Sequence, residues 1–158
     1  MDTSVISRYD SLTKAVYAVD PTPIYKVAER EYGVEQADAP QALDALLQWM
    51  AAAPTQYPDK ARSFQMLEGD VDNMWHSFLL NTKQCRSVCD EVLGGYFDHT
   101  PSLDDNESKE AEDDIKWTIE RLMSSYGDSL NPLLQRSAEA DCSDSGQFPC
   151  MSMCNKKD

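Results

Sequence analysis

The chain has 158 residues and a formal net charge of −14, with 28 Asp and Glu against 14 Lys and Arg, and 41% of it is hydrophobic. That length suits one core and is short for two ordinary domains, while the apolar share excludes a wholly disordered chain. The charge repels phosphate backbones and anionic lipid heads at long range, which disfavours direct nucleic-acid binding and attachment to an acidic membrane surface.

The N-terminal stretch, with Asp2, Arg8, Asp10 and Lys14, lacks the continuous apolar run of a signal peptide. No segment approaches the length of a membrane-spanning helix, so a cytoplasmic location is the expectation. Val5, Leu12, Val16 and Tyr17, with charges between them, predict a surface helix over 4–19 that ends before Pro21. Ile24, Val27, Ala28 and Tyr32 predict a second over 24–32, with Gly33 as its C-terminal stop. Leu43, Leu46, Leu47 and Met50 form a third helical stripe after Pro40, closed off by Pro54 and Pro58.

From Gly69, the residues Val71, Met74, Trp75, Phe78 and Leu79 recur at helical intervals and make one broad apolar face. After Asn81 and Thr82, either able to cap a helix, Cys85, Val88, Cys89, Val92 and Leu93 repeat the spacing up to Gly94 and Gly95. Two consecutive helices packed antiparallel are the expectation. Asp104, Asp105, Glu107, Glu110, Glu112, Asp113 and Asp114 then crowd around Lys109. They read as a solvated loop and helix N-terminus, where negative charge meets the positive end of the helix dipole, and they lack the Gly-centred loop of an EF-hand. Ile115, Ile119, Leu122, Met123 and Tyr126 predict a further helix ending at Gly127. After Pro132 the pattern thins. The fold expected is all-α: a compact single domain of about six helices over 1–137, with a flexible, cysteine-containing tail over 138–158.

Chemistry concentrates around the only two histidines. Asp72 lies one turn before His76 on the same helix face, and Asp98 directly precedes His99. Imidazole and carboxylate together suit iron, manganese or zinc, so His76, His99, Asp72 and Asp98 are candidate metal ligands, with iron or zinc as the candidate cofactor. The alternative is structural: His76 hydrogen-bonds Asp72, and His99 closes onto a backbone carbonyl before Pro101.

The run Asp70, Asp72, Trp75-His76, Leu79, Thr82, followed by Cys89, Gly95, Phe97 and His99-Thr-Pro101, resembles the conserved block of the glycine-rich domain-containing protein family of plants and bacteria. The resemblance covers residues 70–101 and raises His76, His99 and Asp72 as a site without defining its reaction. Where that family often carries further histidines this chain has Phe78 and Asp98, so a metal site implied by the resemblance leans on carboxylates.

Cys85 and Cys89 lie on the apolar stripe and read as buried structural thiols, though their spacing also permits joint metal binding or pairing on oxidation. Cys142, Cys150 and Cys154 fall among Ser, Asp, Gly and Pro and suit either incidental tail thiols or ligands for a soft metal. No phosphate-binding Gly-rich loop, nucleophile elbow or dinucleotide fingerprint is present, and the sequence assigns no reaction. Two functions remain. One is an acidic helical interaction module that binds a protein partner, with a basic, nucleic-acid-binding surface as its target; the other is a metal-dependent protein or enzyme built on the His/Asp residues.

Overall fold

In the helix Ala39–Ala52, buried positions occupy every face: Ala39, Ala42, Leu43 and the whole run from Ala45 to Ala52 are shielded from solvent. Only a stripe bearing Gln41, Asp44 and Gln48 is polar, and a helix this apolar is stable in water only if other elements enclose it. The computed structural model of the chain describes residues 2–53, 63–95 and 109–141, the side chains of 109–112 and 137–141 excepted, and in it that enclosure is the organising feature. The helices in chain order are α1 (Thr3–Tyr17), α2 (Thr22–Tyr32), α3 (Ala39–Ala52), α4 (Asp70–Leu80), α5 (Thr82–Val88), α6 (Lys109–Tyr126) and α7 (Pro132–Asp141). A π-helix, Cys89–Leu93, continues α5, and a 3₁₀ turn, Gly127–Ser129, follows α6. Helices α1, α2, α4, α6 and α7 all pack against α3. No strand occurs among the described residues, and the fold is all-α.

Local chemistry sets the helix ends. The Asp2 carboxylate accepts from the Ser4 and Val5 amides at 2.9 and 3.4 Å and caps α1; the Ser4 hydroxyl and amide together hold its pKa below the usual range. Asp20 accepts from the Thr22 amide and hydroxyl ahead of α2, and Gly33, at φ 72°, ends that helix in the left-handed conformation. Gly69 precedes α4 at φ 99° and ψ −148°, a region open only to glycine.

The C-terminal carbonyls of α3 are a harder problem, because its last turn has no basic residue. Two other helices supply the cations. Arg8 of α1 donates to the carbonyls of Ala51 and Ala53 at 2.7 and 3.1 Å, and Arg121 of α6 donates to that of Ala52. Gln48, buried within α3, is satisfied at both ends by the chain entering α7: its amide nitrogen donates to the Ser129 carbonyl at 3.0 Å, and its oxygen accepts from the Asn131 amide at 2.8 Å. Asn131 donates to the Gln41 carbonyl and to Asp44, and its own side-chain oxygen caps α7 by accepting from the Leu133 amide. Tyr9 completes this lattice from α1 by donating to Asp44, and Tyr126 donates to the Gln48 carbonyl at 2.9 Å.

The three tryptophans share one neighbourhood. Trp49 of α3 meets Phe64 and Trp75 with centroids 5.2 and 6.2 Å apart, and Phe64 meets Trp117 edge-on at 6.0 Å. The Trp49 indole also donates to the Gln65 carbonyl, and the Gln65 amide to the Thr118 hydroxyl, which fixes residues 63–67 between α3 and α6.

Several expectations change in detail. Helices α4 and α5 meet at Asn81 and pack on each other, and each also has other partners, α2 and α3 for α4 and α1 for α5. A joint of one residue is shorter than the two to five of a typical helical hairpin. Val92 and Leu93 are only partly buried, because the π turn beginning at Cys89 rotates them off the face that buries Cys85, Val88 and Cys89. Met123 and Tyr17 are exposed at stripe edges. A seventh α-helix forms where the apolar pattern thins, and it runs to Asp141, past the boundary set at residue 137. The rest of the tail, with Cys142, Cys150 and Cys154, lies outside the described residues, as does most of the acidic run.

Leu47→Ala, at the fully buried centre of the bundle, is expected to cost about 2–5 kcal/mol in urea unfolding, against roughly 0.5 kcal/mol or less for Leu80→Ala on the surface. A second expectation concerns alkaline pH. Burial, and then Asp44 beside it, push the Tyr9 hydroxyl from 10.0 up to about 12. Between those values the folded state holds a proton that the unfolded state has released, so stability falls as pH rises through this window. Tyr9→Phe should start about 1 kcal/mol lower at neutral pH and lose less across the window; equal losses in wild type and variant would remove Tyr9 as the source.

Candidate functional site

The Trp75-His76 pair divides between interior and surface. Helix α4 turns Trp75 inward to the aromatic cluster and leaves His76 at the margin facing α2. There the imidazole stacks on Tyr32, with centroids 5.7 Å apart and planes at 30°. Nδ1 of His76 lies 3.5 Å from Oδ2 of Asp72, one helical turn earlier, and both side chains are about one-third exposed. Tyr32 thus sets the ring plane and Asp72 faces one of its nitrogens, the arrangement that orients a histidine for ligation or proton transfer.

Of the four ligands expected from sequence, the structure brings Asp72 and His76 together; Asp98 and His99 lie outside the described residues. Among the described residues there is no group of three or more His, Cys, Asp and Glu that could hold a metal ion. Phe78, standing where the resembled family often has a histidine, is fully buried in the core, so that position cannot serve a site on the α2–α4 margin. The described part of the resembling block is Asp70–Gly95; Phe97 and Pro101 fall outside it.

A second feature escaped the sequence reading. Between α1 and the α5–π segment runs an open groove of about 710 Å³, floored by Ser4, Ser7, Ser11, Ala15 and Ala18 and walled by Gln84, Ser87, Val88, Glu91 and Val92. Its signal was the spacing of those small residues at near-helical intervals on the face of α1 opposite Leu12 and Val16, a pattern that apolar periodicity overlooks. Arg8 and Lys14 border it, but the Arg8 guanidinium is engaged on the end of α3. Buried Cys85 and Cys89 hydrogen-bond each other on the same segment, which, with burial, pushes the Cys85 thiol up and counts against a nucleophilic role.

The fold and these sites define an all-α protein whose polar features sit at the margins of a sheathed central helix, and no described helix is long and apolar enough to cross a membrane. The chain belongs to the UCP032817-like family, which it matches over residues 7–133, from within α1 to the second position of α7. No curated protein and no solved structure matches it.

Because the Asp72–His76 pair is partly solvated, it should add only about 0–1 kcal/mol. Asp72→Asn should therefore keep full helicity by circular dichroism and unfold within about 1 kcal/mol of wild type in urea. A loss of several kcal/mol would instead make the pair a structural keystone.

Proposed function

We propose that the chain is an acidic helical interaction module that binds a protein partner through charge, the partner presenting a basic surface of the kind that otherwise takes nucleic acid. The observation that carries this reading is the distribution of charge. Carboxylates outnumber cations on the described surface, and two of the arginines, Arg8 and Arg121, are drawn inward to the carbonyls of Ala51, Ala52 and Ala53. The exposed field is accordingly negative, and a negative field steers and orients a basic partner. A partner captured with the full chain and then purified should bind at least about tenfold more weakly as salt rises from roughly 50 to 300 mM. It should also be displaced by duplex DNA. Affinity insensitive to both would rule out charge mimicry.

A second reading is favoured by the 3.5 Å approach of Asp72 to His76: a metal-dependent protein, using iron or zinc, with Asp98 and His99 supplying further ligands. Elemental mass spectrometry on untagged protein tests it. Near-stoichiometric metal, lost in a His76→Ala/His99→Ala double variant, supports the metal site, and metal-free wild type sinks it.

A further inference from the structure

Neither reading uses Cys85 and Cys89. Both are completely buried, neither is in a disulfide, and their side chains hydrogen-bond each other where α5 passes into the π-helix. We propose that these two thiols form a two-coordinate site for a soft monovalent ion, Cu(I).

Geometry separates this from a disulfide. Residues four apart on a helix hold their Cβ atoms roughly 5–6 Å apart, whereas a disulfide needs about 3.8 Å, so oxidation would have to break the helix. An ion bridging two sulfurs, at bonds near the ~2.3 Å typical of metal thiolates, spans the wider gap with the helix intact. The donor count chooses the ion. Zinc requires four ligands, and no group of three or more His, Cys, Asp and Glu exists among the described residues. Two thiolates in an apolar setting match the soft preference of Cu(I). The π turn begins at Cys89 itself, and such turns recur at functional positions. The groove beside α1 is lined by Ser87, Val88, Glu91 and Val92 of the same turns but by neither cysteine, so an ion reaches the pair only when these turns open.

Binding replaces two S–H bonds by two S–Cu bonds and releases two protons, with no change of oxidation state. The complex keeps a single negative charge beside Arg86; because the contact with Cys89 and burial hold the free Cys85 thiol protonated, and the Arg86 charge opposes them only weakly, the ion must displace its proton. Because ion and protons compete, affinity rises with pH.

The test uses the full chain with Cys142→Ser, Cys150→Ser and Cys154→Ser, so that the pair supplies its only thiols. It is titrated anaerobically with Cu(I) held by bicinchoninate. The expected result is one Cu(I) withdrawn per chain, an X-ray absorption spectrum of two sulfur neighbours, and loss of that equivalent on adding Cys85→Ala and Cys89→Ala, with helicity checked by circular dichroism. No copper withdrawn by the chain that retains the pair overturns the proposal without any substitution in the core. So does nitrogen or oxygen coordination, or copper retained after the pair is replaced.

Discussion

The enclosure of α3 is the constraint on which the remaining structure depends. A helix enclosed on most of its surface buries a large apolar area, but it also brings backbone and side-chain polar groups, here the stripe of Gln41, Asp44 and Gln48, against neighbours that must partner them. Its C-terminal carbonyls, Gln48 and the edge-lying Asp44 decide where the neighbours sit: Arg8 and Tyr9 fix α1, Arg121 and Tyr126 fix α6, and Asn131 fixes the start of α7. Each contact joins residues far apart in sequence. Helix packing alone permits sliding, whereas a directional hydrogen bond to one carbonyl does not, so this lattice specifies a single register for the bundle.

Much of this was legible in the sequence and some was not, for physical reasons. Period and caps located α1 to α4 and α6 closely, because Gly33, Gly69 and Gly127 stop or start helices by conformational necessity. The stripe Leu43, Leu46, Leu47 and Met50 marked α3 as a helix, yet its burial on all sides went unread. Alanines at 39, 42, 45, 51 and 52 score weakly as apolar while permitting the close approach that buries them. The π turn left no signal, since the extra residue per turn is a property of backbone hydrogen bonding and Val92 and Leu93 fit an ordinary helical stripe. Helix α7 is set mainly by Asn131, whose cap and long-range bonds to Gln41 and Asp44 cannot be inferred from its neighbours in the chain.

The candidate site was legible in part because its two adjacent members sit on one helix. A spacing of four residues brought Asp72 and His76 together, as local geometry requires. Tyr32, which sets the imidazole plane, was read only as part of the periodic stripe that predicts α2. A stacking partner on another helix is a tertiary fact that the pattern around Trp75-His76 does not contain.

A net charge of −14 works against compaction, since like charges are drawn closer when the chain folds. Five of the cations serve helix C-termini. Lys14, Arg30 and Arg86 occupy the last turns of α1, α2 and α5, where the helix dipole is negative, and Arg8 and Arg121 serve the end of α3, which has no basic residue of its own. Cations committed to helix ends do not gather into a basic patch, and carboxylates free of that duty remain dispersed over the exterior. The arrangement that stabilises the fold is therefore the same one that leaves the surface negative. An interaction driven by that field would draw on surface charge beyond what the fold uses, so carboxylates other than Asp2, Asp20 and Asp44, which cap or tie helices, could be removed singly without disturbing the bundle.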